Sequence, residues 1–153
     1  MKSIVFVIIL TMLTLSQSAC TATEKSKTSS PTVCFVDHCF SVELAHTPEE
    51  MSRGLQFRES LEGESGMLFI FPNPGRHSFW MKDTLIPLDM IWLDESQRVV
   101  YIAREVQPCK HDPCETYAPP EDARYVLEIN PGLASKDKID IGSQATFINV
   151  NNS

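Results

Sequence analysis

The chain has 153 residues, with 13 Lys+Arg against 20 Asp+Glu and a formal net charge of −7. That length suits one domain and leaves too little for two. The acidic balance excludes a surface of clustered cations, and with it nucleic acid as a partner and a polybasic mode of membrane binding.

Residues 1–19 read as a secretory signal peptide. Lys2 supplies a positive start, Ile4 to Leu15 form an apolar run broken only by threonines, and small residues precede Cys20 in "SQSAC". The run is too short to span a membrane comfortably. A cysteine at that place resembles the lipobox of bacterial lipoproteins, in which Cys20 becomes the lipidated first residue and the partner is the membrane itself. Gln17 stands where that pattern prefers an aliphatic residue. Plain secretion with cleavage nearby is the alternative. Either way the protein is expected to be exported, as an anchored lipoprotein of a bacterial envelope or as a secreted or periplasmic protein. Residues 20–31 then form a flexible tether with a reach of about 18 Å, and the folded domain is expected over 32–150.

The remaining cysteines fall into two pairs, Cys34 with Cys39 and Cys109 with Cys114. In an exported chain they read as a disulfide framework, and geometry favours local pairing. "TVCFVDHCFSVEL" reads as two strands about a Val36–Asp37 turn, which sets Cys34 directly opposite Cys39 at a spacing a disulfide tolerates. "CKHDPC" closes around an Asp-Pro turn. The rival is a metal site, since His38 and His111 lie between the paired cysteines.

Thr47-Pro48-Glu49-Glu50 is a capping box with proline at the first helical position, and predicts a short helix that Gly54 ends or interrupts. Beyond it, residues 67–71, 78–81, 87–93, 99–106, 125–129 and 145–150 read as strands, separated by "PNPG", "KDT" and "DESQ". "NPGLASKDKIDIG" is a turn with one helical turn. The expected fold is mainly β (α+β): a small antiparallel β sandwich or barrel-like domain with one short N-terminal helix.

Residues 76–94, "RHSFWMKDTLIPLDMIWLD", place charges inside greasy chain. Strand alternation groups Leu88, Met90 and Trp92 on one face and Asp89, Ile91 and Leu93 on the other. A shielded Asp89 requires compensation by hydrogen bonds or a cation. In one reading Asp89 accepts turn amides, Asp83 caps the turn and Lys82 is solvated. In the other, Arg76, His77, Trp80, Lys82, Asp83 and Asp89 line a ligand site, with Trp80 as apolar platform and charges as anchors.

"RGLQFRESL", "GMLFIF", "FWMKDTLIPLDMIWLD" and "YVLEINPG", in that order, resemble the uncharacterised family known as domain of unknown function 192. Its pattern maps onto Gly54, Leu55, Arg58, Gly66, Met67, Phe79, Trp80, Met81, Lys82, Thr84, Pro87, Leu88, Asp89 and Glu128. Asp83 departs from it, since the family usually has asparagine there, and the cysteine pairs lie outside it. The resemblance implies a compact β-rich domain, often exported, and brings no activity, substrate or cofactor.

The expected function is an envelope-anchored binding or accessory domain for an unidentified small-molecule or envelope ligand, without cofactor or metal. One alternative is an enzyme with Asp89 or His77 as acid–base and Lys82 as stabiliser. No nucleophile elbow, zinc-protease helix or phosphate loop supports it. The other is a metal carrier using the Cys/His pairs with Met67, Met81 and Met90, methionines that fit the core better.

Overall fold

A computed structural model describes residues 30–150, so the expected signal peptide, Cys20 and most of the expected tether lie outside the described residues. Within them the order is β1 (Thr32–Phe35), β2 (His38–Ala45), α1 (Pro48–Arg53), β3 (Ser65–Gly75), β4 (Phe79–Trp80), β5 (Leu88–Leu93), β6 (Val99–Val106), β7 (Thr116–Tyr117), β8 (Ala123–Ile129), α2 (Leu133–Lys136) and β9 (Ala145–Ile148). Seven strands make one sheet in the order β6-β5-β8-β3-β2-β1-β9, and β4 with β7 make a separate ribbon.

The fold is mainly β, and of the two expected forms it takes the barrel-like one. The sheet curls into a half-barrel whose edge strands meet at one corner. There Arg98 bridges Gln144, and the Val99 amide donates to the Ser143 carbonyl at 2.9 Å. One pair, β2 with β3, is parallel. Parallel neighbours cannot be joined by a hairpin and need a crossover, which residues 46–64 supply. Its helix starts where the capping box places it: the Glu50 amide donates to Thr47 Oγ1 at 3.2 Å, and Glu50 Oε2 accepts from the Thr47 amide at 3.0 Å.

The sheet is apolar on both faces, and β5 is buried at every position. Inside the curl, Phe40, Leu68, Ile91, Leu127 and Ile129 pack with Ala134 of α2. On the outer face, Met67, Phe69, Met90, Trp92 and Val126 pack with Leu55, from the segment after α1, and with Phe79 and Tyr117 of the ribbon. Each large side chain so buried contributes about 1.5–3 kcal/mol.

Asp89 lies on the inner face with Ile91 and Leu93, as alternation predicts, and is fully buried. Its Oδ1 accepts from the Glu105 amide at 2.7 Å and its Oδ2 from the Ala134 amide at 2.9 Å. Both donors would otherwise be orphans. Register slips in β6 opposite Leu88–Met90, where Glu105 adopts φ +50°, so its amide leaves the ladder. Helix α2 begins at Gly132, which has no capping side chain. Asp89 therefore belongs to the framework and is corrected from the ligand set.

Cys34 and Cys39 are register partners across β1 and β2 and form a disulfide with Cα atoms 4.0 Å apart. Cys109 and Cys114 form the second, at 5.6 Å, and close the loop after β6. Sulfurs bonded to each other are not thiolate donors, so the metal reading has no ligand set in this state. Two disulfides fit an oxidising environment. Among the described residues no helix is long and apolar enough to cross a membrane.

Asp89→Asn leaves one amide facing an NH2 group. It is expected to lower the unfolding free energy by about 2–3 kcal/mol, read from the urea midpoint at unchanged slope.

Candidate functional site

The crossover that makes β2 and β3 parallel lays α1 over the outer face of the sheet. The helix is too short to seal that face: none of its residues is buried. Gly54 ends it at φ +46°, where a Cβ would come within 3.2 Å of the Phe69 ring. The chain thus turns down against Phe69 and leaves a cleft between α1, β4 and the sheet. Phe69, Phe79 and Trp80 wall it, Arg53 and Lys82 stand at it, and Thr84 and Glu128 are its buried polar members. This polar end has about 40 Å³ of free space, room for one small group or a water or two. A groove of about 290 Å³ continues from it along Met51, Phe71, Phe79 and Trp80.

Glu128 is placed by β8. Its cross-strand neighbours are Met67 on β3 and Met90 on β5, both buried, and its face is that of Val126. The backbones approach closely there: a Cβ on Gly66 would lie 2.5 Å from the Glu128 carbonyl oxygen, so only glycine fits. The side chain is 5% exposed, and among the described residues no group donates to its carboxyl or pairs with it. Burial alone pushes its pKa up from 4.5 to about 8, so it holds its proton at neutral pH.

Glu43 is the internal comparison. It lies in the same cross-strand row, opposite Met67 on β2. Arg58 reaches it with Nη2 2.6 Å from Oε2, and that hydrogen bond holds its pKa below the usual carboxylate value. Two glutamates on one face thus differ in ionisation because one has a guanidinium and the other has nothing.

The residues expected at a ligand site divide. Trp80 and Lys82 line the cleft, with Trp80 50% exposed. Lys82 Nζ lies 5.7 Å from the Trp80 ring centroid and 3.5 Å from Asp112 Oδ2. Asp83 is beside them at the surface, where φ +55° turns the chain and its carbonyl accepts from the Phe57 amide at 2.8 Å. Asp and Asn both tolerate that conformation, which accounts for aspartate where the pattern has asparagine. Arg76 is exposed and outside the cleft. His77 stacks on Phe71 with centroids 3.5 Å apart, and its carbonyl accepts from the Trp92 indole at 2.9 Å. Asp89 lies on the opposite face of the sheet from Glu128. Glu128 is the residue the reading of the site missed. Its signal was the one that drew attention to Asp89, a carboxylate in the apolar strand "YVLEINPG".

A family model, DUF192 (Uncharacterized ACR), matches residues 32–147. Among solved structures, a protein of unknown function from Novosphingobium aromaticivorans DSM 12444 is 36% identical with a TM-score of 0.69, covering 76% of this chain and 82% of that one. A protein from Sinorhizobium meliloti 1021, described as a "putative transcription regulator", is 27% identical with a TM-score of 0.69, covering 76% of this chain and 91% of its own. No curated protein matches.

Glu128 makes stability depend on pH. Its carboxyl has a higher pKa folded than unfolded, so its contribution is fully present below about pH 4.5 and is lost as pH rises through about 8. The loss is on the order of 4–5 kcal/mol. Glu128→Gln cannot ionise, so its stability relative to the wild type should rise from pH 5 to pH 8.5 in parallel denaturation series. Parallel curves would show that Glu128 ionises normally.

Proposed function

The chain belongs to the DUF192 family, which brings no reaction with it, and on that premise we propose a function from the cleft itself. The domain is a binding module held at a cell envelope, and its ligand is a small molecule or envelope component seated against Glu128, Trp80 and Lys82. The observation that carries this reading is the buried carboxyl of Glu128, left without a protein partner at the end of an open aromatic cleft. A folded chain leaves such a group unsatisfied only at a cost. A polar group with the correct geometry, brought by a ligand, removes that cost, while Phe79 and Trp80 offer apolar surface for its body.

The address comes from residues 1–31. A cleavable signal ending at Cys20 and a short polar tether would hold the domain close to the membrane, and the disulfides agree with an exported site. The transcription-regulator description of the Sinorhizobium protein is not carried over, because a net charge of −7 opposes DNA.

An enzyme reading has the same residue behind it, since a carboxyl that keeps its proton at neutral pH can act as a general acid. Binding is favoured because no second carboxyl, imidazole or thiol lines the polar end of the cleft to work with it.

Two measurements test the proposal. In a thermal-shift screen of small metabolites, true ligands should raise the Tm of wild type and fail to raise that of Glu128→Gln or Trp80→Ala. Hits that act on all three alike, or an empty screen, count against the cleft. Cys20→Ser should move the protein from the membrane fraction to the soluble exported fraction; an unchanged distribution removes the lipid anchor.

A further inference from the structure

We infer that the group recognised at Glu128 is an organic ammonium, a primary amine whose charge meets the carboxylate and whose body lies along Phe79 and Trp80. This rests on the cleft being a ligand site and adds the chemical class of the ligand.

The first support is that neither cation of the cleft pairs with that carboxyl. Arg53 from α1 and Lys82 from the β4–β5 segment are the charged groups that line the polar end besides Glu128. The flanking strands β3 and β5 present Met67 and Met90, which carry no charge. Lys82 is drawn away towards Asp112, and the field of Arg53 falls on Glu43. Neither cation forms a hydrogen bond or ion pair with Glu128, whose pKa is raised by burial. Among the described residues Glu128 therefore has no cationic partner of its own, and an ammonium brought by a ligand can pair with it as its proton leaves.

The walls supply the second support. Phe69 and Phe79 meet edge to face with centroids 4.8 Å apart, and Trp80 stands half-exposed beside them. Aromatic faces attract ammonium groups, and this protein already shows the contact, with Lys82 Nζ 5.7 Å from the Trp80 centroid. Size agrees as well: a space of about 40 Å³ takes an ammonium, which is close to water in bulk. A carboxylate ligand would place a second acid directly against the Glu128 carboxyl. A hydroxyl would gain one neutral hydrogen bond and no charge pairing.

The test uses three probes that share a body and differ in head: n-butylammonium, n-butanol and n-butyrate, each titrated calorimetrically into the purified exported protein. Butylammonium is expected to bind, to release about one proton at pH 7, and to tighten roughly 20-fold from pH 6.5 to 8.5 as Glu128 ionises. Glu128→Gln should weaken it about tenfold or more and abolish the pH dependence. The proton release keeps the test decisive if that variant folds poorly. Glu128-dependent binding of butanol or butyrate in place of butylammonium overturns the ammonium class and leaves the cleft standing. Butylammonium binding that Glu128→Gln does not change overturns the class at this site, and no binding by any of the three overturns both readings. Phosphatidylethanolamine vesicles, compared with phosphatidylglycerol alone, assign the source: Glu128-dependent retention on the former points to a lipid headgroup, and butylammonium binding without it to a soluble amine. Both support the ammonium.

Discussion

The two hydrogen bonds that Asp89 accepts hold the architecture together. A small sheet that is apolar on both faces has to be covered twice, and this chain covers the inner face by curling and by a single helical turn. A curl needs a bulge, and a bulge frees an amide. A one-turn helix starting at Gly132 has uncapped amides of its own. One carboxylate, centred on the fully buried strand β5, takes one donor from each. It pins the edge strand β6 and helix α2 to β5, the next strand in.

The outer face is covered less completely, and the cleft follows from that. A parallel β2–β3 pair forces the chain to cross over the sheet, and the crossing helix ends at Gly54 before it can bury a residue. Glu128 sits under the gap. Asp89 and Glu128 thus obey the same rule with opposite results. A carboxyl in an apolar strand must find donors, a cation or a proton. Asp89 finds amides and holds the fold together. Glu128 finds only the proton, weakens the fold at neutral pH and is left available, which is the pattern expected where function opposes stability.

Much of the frame was legible because it is written locally. The Thr47 capping box, the alternation along β5 and the pairing of Cys34 with Cys39 depend on residues within a few positions of one another. The direction of β3 was not legible, since a parallel return depends on where the crossover lands and no short pattern encodes that. The cleft was half legible. Its lining residues Trp80 and Lys82 stand out because they break an apolar stretch, but Asp89 and Glu128 carry the same signal. What separates them is the supply of donors from the β6 bulge and α2, both distant in sequence. His77 drew attention as a titratable group, yet a ring stacked on Phe71 looks no different in sequence from a free one.

The disulfides complete this account of the site. Both fall within the residues that the family model matches, and one of them braces the loop beside Lys82. The Cys109–Cys114 bridge closes a loop whose first residue donates from its amide to the Met81 carbonyl at 3.2 Å, fixing the loop beside Lys82. From there Asp112 takes the Lys82 ammonium at 3.5 Å. A lysine is the natural internal partner for a buried carboxyl, and Lys82 borders the same cleft. Asp112 of the braced loop and the Trp80 ring of β4 are the partners of that lysine. Cross-linking a surface loop this short adds little to global stability; its consequence is local, in setting Asp112 against Lys82 at the edge of the cleft.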